Sequence, residues 1–214
     1  MSVTYDCTNP ADRDRGLDEA ADVVRAGGLV VLPTDTVYGI GGDAFTRWAV
    51  KALLDAKGRG REMPPPVLVA SWTGIDGLML TIPQQVRDLV EAFWPGPLTL
   101  IVEHSPSLDW DLGDTRGTVG LRMPMHPVAI ELLERTGPMA VSSANKSGQP
   151  AATTCEDARS QLGESVDVYL DAGPTPGALP STIVDTTATP MRILRRGALD
   201  PETLRSVIPD LQIP

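Results

Sequence analysis

The stretch Leu29–Gly42 reads LVVLPTDTVYGIGG. Its first four residues are an apolar run, which predicts a short buried strand at Leu29–Leu32. Small hydroxyls, one carboxylate and one tyrosine follow this strand directly. Thr34 and Asp35 either form an ordinary turn by bonding local backbone or offer polar groups to a ligand, and the turn is slightly favoured when the stretch is taken alone. Polar side chains at the end of a buried strand recur elsewhere in the chain.

A second polar segment, AKGRGRE at Ala56–Glu62, gathers three cations around two glycines in a chain with a formal charge of −10. Gly58 lets the backbone fold tightly, so that Lys57, a point charge, and Arg59, a bidentate fork, can converge on one anion. A solvated loop and an RNA-binding arm are the alternatives. Taken alone, the segment is most typical of a solvated loop.

The third segment is AVSSANKSGQP at Ala140–Pro150, where a predicted strand ends in Ser-Ser-Ala-Asn. Ser143 and Asn145 are two residues apart, and in extended chain this spacing places both on one face, able to bond one ligand. Turn chemistry between a strand and a loop explains the same residues equally well.

The fourth group comes from three separate strand ends. Arg122 ends the apolar strand of TVGLR, Ser181 precedes a strand, and Arg195 ends one. Instead of binding a ligand, both arginines could extend their charged ends to solvent, and this alternative is more plausible for Arg195, which is followed by Arg196, than for Arg122. One anionic ligand of nucleotide size would explain all four groups together.

Composition limits the other possibilities. The 214 residues are 42% apolar, enough for one sizeable core. The pI near 4.6 argues against a surface built for non-specific nucleic-acid or membrane binding. Two cysteines and two histidines make a disulfide framework or a zinc site improbable. The N-terminus lacks the apolar run of a signal peptide, so a cytoplasmic location is expected.

Predicted strands and helices alternate without a strict βαβ rhythm, and several short strands follow one another late in the chain. This pattern predicts an α/β fold in which helices flank a twisted mixed β-sheet. Thr153 and Glu156 fit a capping box at the start of a late helix. Common nucleotide fingerprints are missing from the sequence: no GxxxxGK[ST] loop is present, and the glycines at 39, 41 and 42 do not form GxGxxG.

Seven segments follow one another along the chain, namely LPTDTVYGIGG, KGR, FWPGPLTL, TVGLRMPMH, SSANKSG, STIVD and ILRRG. Together and in this order they resemble the signatures of the YrdC/TsaC-like family of threonylcarbamoyl-AMP synthases. The resemblance runs from about residue 15 to about residue 200 and implies a sheet around a concave, positively lined cavity.

The implied reaction joins L-threonine, bicarbonate and ATP, with Mg²⁺, into L-threonylcarbamoyladenylate and pyrophosphate. Partner proteins would then transfer the threonylcarbamoyl group to tRNA adenosine beside the anticodon. Weak contact between this chain and tRNA is a further expectation. No metal ligand of the protein itself and no membrane contact are expected. The alternatives are a tRNA- or double-stranded RNA-binding module of the same fold and a carbamoyl-adenylate-forming maturation factor.

The resemblance also implies roles for individual residues. The family's Lys-x-Arg and Ser-x-Asn signature, catalytic and nucleotide-binding, falls on Lys57, Arg59, Ser143 and Asn145. The threonine site is implied at Thr34, Tyr38 and Arg122, and further nucleotide contacts at Ser181 and Arg195.

The chain departs from the family pattern at Gly60-Arg61, where a proline usually follows Lys-x-Arg. A looser loop is expected there, with Arg61 either joining the phosphate site or facing solvent. The expected organisation is a catalytic domain at residues 1–200, followed by a C-terminal helix and tail at residues 201–214.

Overall fold

Ten β-strands form the frame of the molecule, which the computed structural model describes over residues 2–213. The strands are β1 (Val3–Asp6), β2 (Val30–Leu32), β3 (Gly39–Asp43), β4 (Val67–Leu68), β5 (Leu98–Glu103), β6 (Thr118–Arg122), β7 (Met139–Ser143), β8 (Val168–Asp171), β9 (Thr182–Asp185) and β10 (Arg192–Arg195). The helices are α1 (Pro10–Arg25), α2 (Arg47–Lys57), α3 (Gln84–Phe93), α4 (Pro127–Thr136), α5 (Cys155–Leu162) and α6 (Pro201–Arg205), with short 3-10 turns at Trp72–Gly77 and Gly163–Ser165.

The strands lie in one sheet in the order β1-β8-β2-β3-β7-β4-β6-β5-β9-β10. Parallel pairs, such as β2 with β8 and β5 with β9, are interspersed with antiparallel pairs, such as β3 with β7 and β5 with β6. The predicted mixed α/β sheet is therefore confirmed. Since β4, β6, β7 and β9 come from distant parts of the chain, their ends meet only in the folded sheet.

Helices cover both faces of the sheet because the strands are apolar on both faces. Along β2, the buried side chain of Val31 packs in one core cluster, whereas Val30 and Leu32 pack in another, as the two-residue period of a strand requires. Helices α1 and α4 cover the Val30 face, and α2, α3 and α5 cover the Val31 face. This double covering explains why the strands read as short, continuous apolar runs.

The glycine-rich end of the opening stretch forms a strand that the sequence did not predict. Thr34 makes the expected local turn: its Oγ1 accepts from Thr36 N at 3.1 Å and donates to Val37 O at 2.7 Å. After this turn, β3 pairs antiparallel with β2 and β7. A Cβ on Gly41 would lie 2.6 Å from the carbonyl oxygen of Ala140, so the close approach of β7 requires glycine.

The cap of α5 differs by one residue from the prediction. The N-cap is Thr154, whose Oγ1 accepts from Asp157 N at 3.1 Å, so the capping box at Thr153 and Glu156 is wrong. Thr153 and Thr154 each have an acidic residue three positions later, so the sequence pattern fits either as the N-cap. The packing of the helix against the core determines which threonine takes that position. Starting at Cys155 turns Cys155, Ala158 and Leu162 towards the core.

The segment after residue 200 packs on the same core as the sheet. Leu204, Ile208 and Leu211 are buried with the larger apolar cluster. Beyond α6, the backbone runs beside β10, where Ile193 N donates to Gln212 O at 2.9 Å. The division of the chain at residue 200 stays a prediction from the sequence.

Candidate active site

A cavity of about 230 Å³ opens where the central strands end. Its wall combines small hydroxyls with long cations, the side chains that follow the apolar strands in the sequence. Seven of the nine predicted site residues line it, namely Thr34, Tyr38, Arg59, Arg122, Ser143, Ser181 and Arg195. The wall described here does not include Lys57 and Asn145, which lie behind it.

Lys57 connects the Lys-x-Arg segment to the Ser-x-Asn segment from behind the cavity wall. It is the last residue of α2, and Gly58 ends that helix in the left-handed region with φ 61°. Lys57 is 3% exposed, and its ammonium donates to the carbonyls of Ser143 and Asn145, the latter at 2.6 Å. Ser147 N donates back to Lys57 O at 2.8 Å. The lysine thus holds the Ser-x-Asn turn against the end of α2.

Burial, followed by the charge of Arg59, lowers the pKa of Lys57 to about 8. The group therefore remains largely protonated at neutral pH, with two of its three N–H donors bound to carbonyls. Asn145 is also buried: its amide nitrogen donates to Lys146 O and Gln149 O, while Oδ1 has no partner among residues 2–213. Both residues fix the shape of the turn that carries Ser143.

Arg59 reaches into the cavity from the chain after α2. Its Nη1 donates to Ser142 Oγ at 3.1 Å, and its buried Nε has no partner within the described part of the chain. Burial lowers the pKa of this arginine. A half-buried guanidinium that keeps free donors is suited to an anionic ligand.

Arg122 is held more firmly than a snorkelling side chain would be. It is 6% exposed, and its three nitrogens donate to Gly96 O, Thr36 Oγ1 and Asp35 Oδ1 at 3.0, 3.0 and 2.6 Å. The fixed guanidinium has five N–H groups, so two remain, one on each terminal nitrogen. A fixed guanidinium with one spare N–H on each terminal nitrogen is suited to a carboxylate.

Arg195 and Ser181 form the opposite part of the wall. Arg195 Nη2 donates to Ser181 O at 2.8 Å and to Ser181 Oγ at 3.1 Å, and Ser181 Oγ lies 2.8 Å from Thr99 Oγ1. Burial lowers the pKa of Arg195, and the charges of Arg122 and then Arg59 lower it further. Arg195 is therefore repelled by the other two arginines, and an anion bound in the cavity would offset this repulsion.

Tyr38 and Thr34 lie side by side in the turn before β3. The Tyr38 hydroxyl donates to Gly173 O at 2.6 Å and accepts from Ala172 N at 3.1 Å. Burial raises the pKa of this phenol, so it stays protonated. Because the Tyr38 side chain is fully buried in the core and its hydroxyl is already bonded, it supports the wall and offers no free donor to a ligand.

Arg61 neither enters the cavity nor simply faces solvent. Its two terminal nitrogens bind both carboxylate oxygens of Asp111 at 3.1 and 2.7 Å, and Asp114 N donates to Arg61 O at 2.9 Å. Gly60 stands where the family usually has proline, and the next residue, Arg61, links this segment to the loop before β6. Thr115 of that loop lines the cavity, as does Pro64 beyond Arg61.

Several wall residues were missed by reasoning from the sequence. Ser142 was overlooked although SSAN offers two hydroxyls, and alternation along β7 does not predict that both border one cavity. The prolines at 64–66 read only as irregular chain. Thr36, Thr99 and Thr118 looked like ordinary strand or turn residues, so their only signal was closeness to the predicted strand ends.

No cluster of three His, Cys, Asp or Glu side chains within residues 2–213 is arranged to hold a metal ion. Across the same residues, no helix has the length and apolar character needed to cross a membrane.

Comparison with known proteins is consistent with this site. A Mycobacterium tuberculosis protein named "Putative threonylcarbamoyl-AMP synthase" is 58% identical over 208 residues, which are 97% of this chain and 96% of that protein. The threonylcarbamoyl-AMP synthase of Pyrococcus abyssi is 36% identical over 91% of this chain and 57% of its own length. The crystal structure of P. abyssi Sua5 complexed with L-threonine superposes with a TM-score of 0.91 at 33% identity, covering 100% of this chain and 62% of that one.

The family model Sua5_yciO_yrdC, described as telomere recombination, matches residues 22–197. This span reaches from α1 to the end of β10 and contains every wall residue named above. The chain therefore belongs to the Sua5/YciO/YrdC family.

Proposed function

We propose that this chain is a threonylcarbamoyl-AMP synthase, an enzyme that condenses L-threonine, bicarbonate and ATP into L-threonylcarbamoyl-AMP and pyrophosphate. The observation that carries the proposal is the meeting of Arg59, Arg122 and Arg195 around one cavity. An acidic protein concentrates fixed positive charge there, and the substrates are a carboxylate, bicarbonate and a triphosphate. The relatives named threonylcarbamoyl-AMP synthase support the same reading.

L-Threonine would bind between Arg122 and the turn before β3. The two remaining N–H groups of Arg122 suit its carboxylate, and the P. abyssi protein crystallised with L-threonine supports this substrate. Thr34 lines the same cavity and would contact the amino acid's side chain, while Tyr38, whose side chain is fully buried, would support that part of the wall from the core.

The nucleotide would lie across the other two arginines. Arg59 and Arg195 would face the phosphates, while Ser143 and Ser181 would give oriented hydrogen bonds. Lys57 and Asn145 would act from behind by fixing the Ser143 turn, and the Lys57 charge would add to the field at the phosphates.

The reaction divides into two balanced steps. The threonine amine adds to bicarbonate, water is lost, and an N-carboxy-threonine forms. One oxygen of this carbamate attacks the α-phosphorus of ATP, the bond to the β-phosphate oxygen breaks, and pyrophosphate leaves with its electron pair. The protein's contribution is to position the reactants and stabilise phosphate charge.

ATP would enter as its Mg²⁺ complex, with the ion held by phosphate oxygens and water, as Mg²⁺ commonly is. The product would be used in the cytoplasm by partner proteins that carry the threonylcarbamoyl group to tRNA. Any direct tRNA contact would be weak because the chain is acidic.

The test is pyrophosphate release by purified protein with ATP, Mg²⁺ and bicarbonate, with and without threonine, and mass spectrometry of the product. We expect release to require both threonine and bicarbonate. Turnover with carbamoyl phosphate instead would indicate the carbamoyl-adenylate alternative. Salt-sensitive RNA binding without ATP turnover would indicate an RNA-binding module and contradict the proposal.

A further inference from the structure

Three of the buried side-chain atoms without a hydrogen-bond partner among the described residues are Oδ2 of Asp35, Nδ1 of His126 and Nε of Arg13. Buried polar atoms are nearly always bonded, to protein or to ordered water. Their chemistry is complementary, since a carboxylate oxygen accepts, a guanidinium nitrogen donates, and an imidazole nitrogen can do either.

Backbone and ion-pair contacts bring the three side chains to one place. Asp35 Oδ1 accepts from Met125 N at 2.8 Å, directly before His126. His126 is the N-cap residue of α4, and Glu131 of the same helix pairs with Arg13 of α1. Asp35 and Arg13 both act electrostatically on His126. The turn before β3 and the N-terminal parts of α1 and α4 therefore meet near His126.

Asp35 connects this region to the cavity. Its Oδ1 accepts from Arg122 Nη2 at 2.6 Å as well as from Met125 N, while the buried Oδ2 has no partner among the described residues. The side chain of Asp35 is 13% exposed, so water from bulk solvent does not readily satisfy the free oxygen. Any group that fixes Oδ2 also fixes the plane of the carboxylate that aims Arg122.

We propose that His126 is a positioning residue of the threonine site, acting on Arg122 through Asp35. A single ordered water joins His126 Nδ1, Asp35 Oδ2 and Arg13 Nε, since no direct hydrogen bond connects them and a buried water typically has about three partners. The role assigned to Arg122 rests on the proposed function. The hydrogen-bonded bridge itself does not.

The charged groups around His126 define its working state. Asp35 faces it from the turn and is shared with Arg122, while Arg13 faces it from α1 and is shared with Glu131. Burial lowers the pKa of His126, Asp35 opposes this shift, and Arg13 adds to it. The imidazole is therefore neutral at neutral pH. In acid, an imidazolium would compete with Arg122 for the Asp35 carboxylate, and threonine affinity should fall.

The first test compares the chain's two histidines. His126→Leu should raise the KM for threonine by roughly tenfold while leaving the KM for ATP nearly unchanged, and His126→Gln, which keeps a polar group, should recover part of the loss. The matched controls are His104→Leu and His104→Gln, because His104 contacts Trp110 away from the cavity.

The pH dependence gives a second readout. In wild type, the KM for threonine should rise as the pH falls, and this rise should disappear in His126→Leu. Equal effects at both histidines, or an unchanged threonine KM, would overturn the proposal.

The second test needs no turnover. With two histidines in the sequence, NMR titration follows each imidazole separately. Asp35→Asn should lower the pKa of His126 and Arg13→Gln should raise it. Arg13→Gln serves as the second variant if Asp35→Asn fails to fold. Absence of these shifts overturns the bridge. Their presence in a protein that proves not to use threonine would retain the bridge but overturn the role on that substrate.

Discussion

The ammonium of Lys57 donates to the backbone carbonyl of Asn145 across 2.6 Å, although the two residues are 88 positions apart in the chain. This bond joins the end of α2 to the turn after β7, and it brings together the two halves of the signature recognised in the sequence. The bond places Lys57 beneath the cavity wall. Its charge would therefore act on a ligand through a fixed turn and at slightly longer range than that of Arg59.

Removing the Lys57 ammonium should abolish activity without unfolding the protein. In Lys57→Met the carbonyls of Ser143 and Asn145 lose their shared donor, so threonine-dependent pyrophosphate release should fall by at least about 100-fold. Lys51→Met is the matched control, because Lys51 lies exposed on the same helix and pairs with Asp55. Similar activity in the two variants would contradict the role of Lys57, provided circular dichroism shows both folded.

Lys57 should also leave a signature in the pH dependence of stability. Folding lowers its pKa from 10.5 to about 8, so within this window the unfolded chain binds a proton that the native state has released. The free energy of unfolding should therefore rise with pH between these values, with a contribution of up to about 3 kcal/mol. Urea unfolding across the window checks this. The free energy of unfolding of the wild type should increase relative to that of Lys57→Met as pH rises. A difference between the two that stays constant with pH would show that the pKa of Lys57 is not lowered.

The tie between Arg61 and Asp111 should matter for the cavity more than for stability. Both side chains are substantially exposed, so Arg61→Gln should leave the Tm nearly unchanged. Because the two loops it joins carry Pro64 and Thr115 of the wall, the KM for ATP should rise a few-fold. The charge-swapped pair Arg61→Asp with Asp111→Arg should restore part of this loss. An ATP KM that stays at the wild-type value in Arg61→Gln would show that the wall does not depend on the tie.

Gly41→Ala should destabilise the protein because β7 leaves no space for a methyl group. The new Cβ would lie 2.6 Å from the carbonyl oxygen of Ala140, which backbone pairing holds in place, and the expected loss is about 1–3 kcal/mol. In Gly77→Ala the new Cβ would meet nothing within 4 Å, so that variant is the control. Urea unfolding of both variants measures the difference, and equal stabilities would contradict the packing of β3 against β7.

The strands and the site differ in how far the sequence could predict them. Apolar runs such as Val30–Leu32 and Thr118–Arg122 identify strands because burial on both faces leaves a local pattern. Strand β3 was not predicted, since its glycines have low strand propensity and are selected by the closeness of β7. Arg122 was identified as a cation that ends an apolar strand, and Arg59 as one of three cations gathered around two glycines, whereas Ser142 had no pattern of its own.

The sequence by itself determined the class of fold, the polar strand ends and the chemistry they can offer, because periodicity and side-chain type are local properties. Only the tertiary structure decided which of those groups share one cavity. Lys57 lies behind the wall, Arg61 binds Asp111, and Asp35 gives one oxygen to Arg122 while its other oxygen is buried without a partner among the described residues. Such relationships depend on strand order and on burial. Both arise from contacts between residues far apart in the chain, and no local pattern records them.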